Sequence, residues 1–275
     1  MRTRRLLAVL AHPDDESLGF GGVLAKYAAE GAEVFLVTAT RGEAGRYRGW
    51  PPGDPAHPGP DALGVIRETE LRAAARALGI KDVAVLDYRD QELDRADPKA
   101  AIGVIAAHIR RLQPDIVVTF GPEGAYGHPD HIAVAQFTTA AIVAAASHAD
   151  ADVLDAAPYP PHAVRKLYYL AWPDDAWTAY QAAFKTLTAR VDEVVRQATP
   201  WPDWAITTRI DTRAQWATVW SAVQCHDSQI AVYDRLSALP PNLHEALWGR
   251  QSFYRAFSVV NGGRRQETDL FDGVS

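Results

Sequence analysis

The chain has 275 residues, 48% of them hydrophobic and 23% charged, with a formal net charge of −6 at pH 7. This composition is typical of a globular protein, and the acidic balance argues against a broad nucleic-acid-binding surface. A membrane helix needs about 20 consecutive apolar residues, whereas the richest stretch, residues 132–146, is shorter and contains Gln136. The sequence therefore predicts neither nucleic-acid binding nor membrane insertion.

Cys225 is the only cysteine, which excludes an intrachain disulfide and a cysteine-based metal cluster. The chain starts with a short basic segment followed by an apolar run, but acidic residues interrupt that run from Asp14 onwards, too early for a secretory signal. Both features favour a cytoplasmic location. Any bound metal must be held by histidines and carboxylates.

Apolar runs alternate with amphipathic segments through the first half of the chain. Short runs bounded by Gly, Pro or Asp predict strands, and longer periodic segments predict helices, the first of them capped by Ser17 and stopped by Gly31. The predicted strands are 5–11, 34–39, 83–86 and 116–120, and the predicted helices are 17–30, 61–78, 98–112 and 129–146. This alternation predicts an α/β fold, a Rossmann-like three-layer sandwich with a mostly parallel sheet.

Two long loops, 41–60 and 147–162, interrupt this alternation. The segment beyond them predicts a strand at 164–170 and helices at 176–197 and 212–224. We expect one domain over residues 1–275, in which 1–146 are the Rossmann-like core and 147–275 a C-terminal elaboration. Seven of the eight tryptophans lie beyond residue 170. Six of these seven are candidates for a sugar-stacking platform or for core packing, namely Trp172, Trp177, Trp201, Trp204, Trp216 and Trp220.

Polar clusters follow the first and fourth predicted strands, at residues 12–16 and 126–131. Ligands bind outside the carboxyl ends of the strands in open α/β sheets, so both clusters should open onto one crevice. His12, Asp15 and His131 can then supply the three protein ligands of a catalytic metal site, which keeps one position for water. Asp14, next to a ligand, can act as the general base on that water.

Three further side chains of the second cluster suit the same chemistry. His128 is placed to meet a developing oxyanion or to donate a proton, and Asp130 could orient His128 and favour its charged form. Tyr126 offers another hydroxyl for the oxyanion. The alternative interpretation is a turn capped by Asp in one cluster and a solvated His-x-x-His in the other. Two such clusters at one sheet edge favour the metal site.

At these residues the sequence resembles the PIG-L/LmbE-like family of zinc-dependent N-acetylglucosaminyl deacetylases, which includes the mycothiol- and bacillithiol-pathway enzymes. The family's two motifs stand here as residues 11–16 (AHPDDE) and 127–131 (GHPDH), and the resemblance covers roughly residues 5–145. It implies the same metal ligands and general base, with His128 assisting the intermediate, Asp130 as its partner and Tyr126 as a mobile tyrosine. It also implies substrate-binding roles for Arg67 and Asp90, which taken alone are typical of a solvated helix residue and a turn.

The resemblance implies a metal-dependent hydrolase that removes an acetyl group from a small-molecule N-acetylglucosamine conjugate. One Zn²⁺ per chain is expected, although His/Asp ligation also accommodates Fe²⁺ or another divalent ion. Relatives form assemblies, so a homo-oligomer is compatible with the resemblance. His226, in a segment similar to a family element near the site, has an equal claim to be a helix-end residue.

Three alternatives remain open. An amidase acting on a thiol-sugar conjugate or another amide would use the same site. A nucleotide-binding oxidoreductase would use the glycines at 19–22, but Leu24 stands at the third glycine position and the acidic residues 14–16 would repel a pyrophosphate. A non-catalytic sugar-binding protein would have no need of the spare carboxylate of Asp14.

Overall fold

A computed structural model describes residues 2–147, 159–183, 188–191, 193–197, 199–263 and 265–274. Within them, seven strands form one mixed sheet in the order β3-β2-β1-β4-β5-β9-β8, and β6 pairs with β7 in a separate hairpin. The strands are β1 (Arg5–Leu10), β2 (Glu33–Thr40), β3 (Asp82–Tyr88), β4 (Ile116–Thr119), β5 (Lys166–Leu170), β6 (Thr188–Val191), β7 (Val194–Gln197), β8 (Thr208–Asp211) and β9 (Arg250–Ser258).

Helices cover both faces of this sheet. Those that join β1 to β2 and β2 to β3 pack with a C-terminal helix on one face, and the two long helices before and after β4 pack together on the other. The helices are α1 (Asp15–Leu18), α2 (Gly21–Ala29), α3 (Pro60–Leu78), α4 (Pro98–Leu112), α5 (Gly124–Gly127), α6 (Pro129–Ala146), α7 (Asp174–Ala183), α8 (Trp216–Gln224), α9 (Asp234–Ser237) and α10 (Pro241–Trp248). The predicted α/β, mostly parallel architecture is confirmed.

Strands β1 to β5 run parallel, and their central members are buried on both sides. Buried parallel strands favour continuous apolar runs, which is why these strands were visible in the sequence. Strand β9 then pairs antiparallel with β5, and β8 pairs antiparallel with β9. The segment 147–275 therefore adds three strands, β5, β8 and β9, to the same sheet.

Two helix predictions need correction. The predicted helix 17–30 is divided into α1 and α2, because the chain bends at Gly19-Phe20. A Cβ on Gly22 would lie 2.9 Å from Thr212 Cβ, and one on Gly21 would lie 3.0 Å from Val219. These glycines allow close packing against the C-terminal segment, which agrees with the interpretation that they are not a nucleotide-binding loop.

The predicted helix 176–197 is wrong. The described residues form α7, which ends at Ala183, and then the β6–β7 hairpin. Val191 pairs directly with Val194, and Glu193 has a φ of 62°. A two-residue hairpin connection requires such positive φ values, and the β-branched residues that flank it favour strands. The predicted loop 147–162 lies mostly outside the described residues.

Most of the C-terminal tryptophans are packing residues. Trp177 is buried, and Trp172, Trp216 and Trp220 pack against the hydrophobic core. Trp204 is 87% exposed, so it is the one of these five free to stack on a ligand. Among the described residues, no helix has the length and apolarity needed to cross a membrane.

Candidate active site

The two polar clusters meet at the carboxyl edge of the sheet, between β1 and β4. Residues 12–16 follow β1 directly, and residues 126–131 span α5 and the first turn of α6 after β4. β1 and β4 are parallel neighbours, and the strand order reverses direction here, since β2 and β3 lie beyond β1 and β5 lies beyond β4. In doubly wound sheets this switch point is where ligands bind.

The side chains of His12, Asp15 and His131 form a compact triangle, in which two ring nitrogens face the two oxygens of one carboxylate. His12 Nδ1 lies 3.2 Å from His131 Nε2, Asp15 Oδ1 lies 3.5 Å from the same nitrogen, and Asp15 Oδ2 lies 3.7 Å from His12 Nδ1. Tetrahedral zinc with bonds of about 2.0–2.1 Å separates neighbouring ligand atoms by about 3.3–3.4 Å. The donor set therefore fits one tetrahedrally coordinated divalent ion.

The outer nitrogen of His12 lies between two buried carboxylates. His12 Nε2 is 3.0 Å from Asp130 Oδ2 and 3.1 Å from Asp90 Oδ1. Burial alone would lower the pKa of His12, but Asp90 and Asp130 outweigh it and raise that pKa well above its ordinary value. Because carboxylates only accept hydrogen bonds, Nε2 carries the proton, and in the neutral ring Nδ1 keeps the lone pair that a metal needs.

Asp130 does not hold His128 in the way the sequence suggested. Besides His12, its carboxylate accepts hydrogen bonds from the backbone N–H groups of Gln91, at 2.7 Å, and Leu93, at 3.2 Å. His128 instead caps α6, since its Nδ1 accepts from the backbone N–H of Asp130 at 3.2 Å. Burial and the charge on His12 lower the pKa of His128, and the opposing effect of Asp130 is smaller. His128 is therefore a neutral imidazole with its proton on Nε2.

His131 is fixed by packing. Its ring stacks on Phe120 with centroids 3.9 Å apart and an interplanar angle of 7°, and the residue is only 3% exposed. Pro129 in the first turn of α6 places His131 at the end of the helix that faces the crevice. Burial lowers the pKa of His131 well below its ordinary value, so its ring is neutral.

Asp14 is held in an unusual conformation beside these donors. Its φ of 103° and ψ of −25° lie in the left-handed region, which residues other than glycine rarely occupy. Arg67 Nη2 donates to Asp14 Oδ2 at 3.1 Å and to the carbonyl of Pro13, and its Nη1 donates to the carbonyl of Gly42. Arg67 is 4% exposed, so it is not the solvated helix residue that its position alone suggested.

Tyr126 packs edge-on against two of the three site histidines, with centroid distances of 5.8 Å to His128 and 5.4 Å to His131. It lies in a kinked turn, where Ala125 has a φ of 62°. Burial first, and then the neighbouring carboxylates, raise the pKa of Tyr126, so its hydroxyl keeps its proton. The structure thus brings all nine predicted site residues close together at the carboxyl edge of the sheet.

Two residues of this region had only weak sequence signals. Glu16 is fully buried, and its Oε1 lies 2.7 Å from Nε2 of the equally buried His226. Glu16 stands within the first motif, but no spacing rule connects it with a histidine 210 positions away. His226 does lie at a helix end, directly after α8, yet it is also in contact with the site.

Comparison with known proteins identifies the chain's relatives. A family model described as PIG-L, GlcNAc-PI de-N-acetylase, matches residues 7–142. The 1D-myo-inositol 2-acetamido-2-deoxy-alpha-D-glucopyranoside deacetylase of Thermobifida fusca is 36% identical over 298 residues, covering 98% of this chain and all of the relative. The chain belongs to the PIG-L family. The Kineococcus radiotolerans protein of the same name is 34% identical, over 99% of this chain and 83% of the relative.

Solved structures share the fold of this PIG-L chain at lower identity. The N,N'-diacetylchitobiose deacetylase from Pyrococcus horikoshii superposes with a TM-score of 0.67 at 20% identity, over 92% of this chain and 83% of that one. The 4-carboxy-2-hydroxymuconate hydratase from Pseudomonas putida reaches a TM-score of 0.68 at 20% identity, over 95% and 99%. A deacetylase and a hydratase thus share one fold, so the chemistry must be argued from the site residues.

Proposed function

We propose that this PIG-L chain is a metal-dependent deacetylase that hydrolyses the acetamide of an N-acetylglucosamine conjugate, with an inositol glycoside as the first candidate substrate. The observation that carries this is the triangle of His12, Asp15 and His131 donors with the carboxylate of Asp14 beside it. Full-length relatives named as deacetylases of an inositol-linked acetamido sugar support the substrate class. Since β8 and β9 extend the sheet that holds the site, we also propose that the whole chain is one catalytic domain.

His12, Asp15 and His131 would hold the metal. A divalent ion bound there supplies Lewis-acid chemistry, activating a water and polarising the amide carbonyl. Zn²⁺ suits this donor set best, and Fe²⁺ or another divalent ion also fits. Asp130 and Asp90 fix the orientation and tautomer of His12 through its outer nitrogen.

Asp14 would move the proton. Its carboxylate takes a proton from the attacking water and passes it to the nitrogen of the leaving amine. The water oxygen bonds to the amide carbon and the C–N bond breaks, so the products are acetate and the free amine. Arg67 keeps the carboxylate in place, because its Nη2 donates to Asp14 Oδ2 at 3.1 Å.

His128 and Tyr126 would stabilise the developing oxyanion. With Nδ1 accepting a backbone hydrogen bond, the neutral ring of His128 presents its Nε2–H as a donor, and the Tyr126 hydroxyl presents another. Buried donors of this kind contribute about 3–4 kcal/mol each to transition-state stabilisation. In this proposal His128 donates a hydrogen bond to the oxyanion, and the proton for the leaving amine comes from Asp14.

The test is amine release from N-acetylglucosamine, its inositol glycoside and a thiol-sugar conjugate. Enzyme is assayed as purified, after chelation, and after chelation and resupply of zinc. We expect metal-dependent release from a sugar acetamide, lost in Asp14→Asn while metal content stays at the wild-type level. Asp87→Asn, a change at an exposed surface carboxylate, is the matched control. Release only from the thiol conjugate, or from none of the three with metal bound, would contradict the proposal.

A further inference from the structure

The left-handed backbone of Asp14 has its own support, separate from Arg67. The backbone N–H of Asp14 donates to Glu16 Oε2 at 2.9 Å. Glu16 Oε1 accepts from the Ser17 hydroxyl and lies 2.7 Å from His226 Nε2. Arg67 thus binds the side chain of Asp14 and the carbonyl before it, whereas Glu16 binds its amide.

Glu16 and His226 form a fully buried pair, each with 0% of its surface exposed. One carboxylate oxygen of Glu16 accepts from the Ser17 hydroxyl and faces His226 Nε2, and the other accepts from the Asp14 amide. Because both oxygens are occupied, the Glu16 side chain has little rotational freedom.

His226 is itself anchored by the segment 226–229. Ser228 donates from its backbone N–H and its hydroxyl to Glu70 of α3, both at 2.7 Å. Gln229 Nε2 donates to the carbonyl of Arg46, and the N–H of Arg48 donates to the carbonyl of Ser228. The segment is thereby tied to α3 and to the loop 41–60, both of which border the crevice.

We infer that Glu16 and His226 are positioning residues that hold Asp14 in its left-handed conformation and so aim its carboxylate at the reacting water. This inference rests on the proposed function, because it assigns Asp14 as the base. Among the described residues, neither the Glu16 nor the His226 side chain forms a hydrogen bond with the side chains of His12, Asp15 or His131. Loss of Glu16 or His226 should therefore slow turnover without releasing the metal.

The experiment compares Glu16→Ala and His226→Leu with the conservative Glu16→Gln and His226→Gln. Glutamine at 16 keeps an acceptor for the Asp14 amide, and glutamine at 226 keeps a donor for Glu16. We expect kcat to fall about 10–100-fold in the first pair and to recover most of that loss in the second, with KM and metal content near wild type. A crystal structure of His226→Leu should show Asp14 leaving its φ of 103°.

Glu267→Gln is the matched control. Glu267 is a buried carboxylate paired with the buried Lys166 at the start of β5, the opposite edge of the sheet from the site. The substitution Glu267→Gln should lower the melting temperature of the enzyme but leave its kcat unchanged. If Glu16→Ala and His226→Leu behave like this control, or if Asp14 keeps its conformation in the crystal, the inference is overturned. A wild-type enzyme that releases no amine would instead contradict the proposed function, and the crystal structure would still decide on the positioning role.

Discussion

At the residue scale, the two ring nitrogens of His12 have different partners and therefore different functions. Its Nδ1 faces Asp15 and His131, and its Nε2 faces Asp90 and Asp130. Asp90, together with the backbone N–H groups of Gln91 and Leu93 that bind Asp130, explains why the β3–α4 segment matters to a site built on β1 and β4. A histidine whose outer nitrogen is held by a carboxylate binds metal more strongly, because its tautomer and orientation are fixed.

Replacing Asp130 by Asn should therefore weaken metal binding about 10–100-fold. The amide oxygen can still accept from His12, but the amide NH₂ would then face the backbone N–H of Leu93, a donor that Asp130 satisfies. Chelator competition measures the affinity. Asp87→Asn, which alters an exposed ion pair with Arg41, should leave the metal affinity unchanged. Equal affinity in both variants would show that Asp130 does not support His12.

Gly42 and Gly53 offer a matched pair for testing Arg67. Both lie in the loop 41–60 with positive φ, 64° and 88°, so alanine at either costs about 1–2 kcal/mol in backbone strain. A Cβ on Gly42 would lie 2.0 Å from Arg67 Nη1, whereas one on Gly53 meets nothing within 4 Å. Only Gly42→Ala should displace Arg67 and lower kcat, by about tenfold or more. Urea unfolding and steady-state kinetics separate the two effects, and equal kcat values would contradict the role given to Arg67.

At the scale of elements, the predictions succeeded where burial imposes a pattern along the chain. The central strands β1, β2 and β4 lie between two helical layers and consist of apolar runs, so each was found from its own residues. β8 is only four residues long, and its place in the sheet depends on β9, more than 40 positions later. Such pairing depends on distant residues and leaves little local signal.

The long helix α6 carries His131 at one end and is capped at the other by Arg110 of α4. Arg110 is 8% exposed and donates to the carbonyls of Ala144, Ala145 and Ser147. Ala144 also accepts from the backbone N–H of Ser147, and Ala145 from that of His162, so the guanidinium is an additional donor that ties the end of α6 to α4.

Arg110→Met should lower the free energy of unfolding by about 2–3 kcal/mol, since it removes the hydrogen bonds of a buried charged donor to three carbonyls. The neighbouring Arg111 pairs with the half-exposed Asp82, and surface pairs contribute about 0–1 kcal/mol. Arg111→Met is therefore the control, with the same change of side chain one position along the helix. Urea denaturation monitored by circular dichroism gives both values. A similar loss in the two variants would contradict the capping role.

At the scale of the whole molecule, the sequence predicted which motifs form the site but not which residues hold the site side chains in place. His12, Asp15 and His131 could be found because strand ends in a parallel sheet meet at one edge. Their hydrogen-bond partners were not predicted. Asp130 binds His12 and not His128, and Glu16 binds His226, which lies in the C-terminal segment. Hydrogen-bond partners depend on side-chain positions to within an ångström, which no spacing rule supplies.

The same C-terminal segment is tied to the sheet by a buried charged cluster around Glu267. Its carboxylate accepts hydrogen bonds from Lys166, Tyr168, Thr208, Arg255 and Asn261. Burial raises the pKa of Glu267, but the hydrogen bonds from Lys166, Asn261 and Tyr168 outweigh it and bring that pKa to about 2. The folded protein therefore binds this proton far less readily than the unfolded chain.

Because the folded pKa lies below the unfolded value of about 4.3, the carboxylate contributes stability that is fully present above the unfolded pKa and is lost as pH falls towards 2. A difference of about two pKa units corresponds to about 3 kcal/mol. Glu267→Gln should thus be less stable than wild type at pH 7, and the gap should narrow by about that amount between about pH 5 and pH 2. Unfolding free energies of both proteins across this range test the sign, and a gap that stays constant or widens would show that Glu267 is not ionised in the fold.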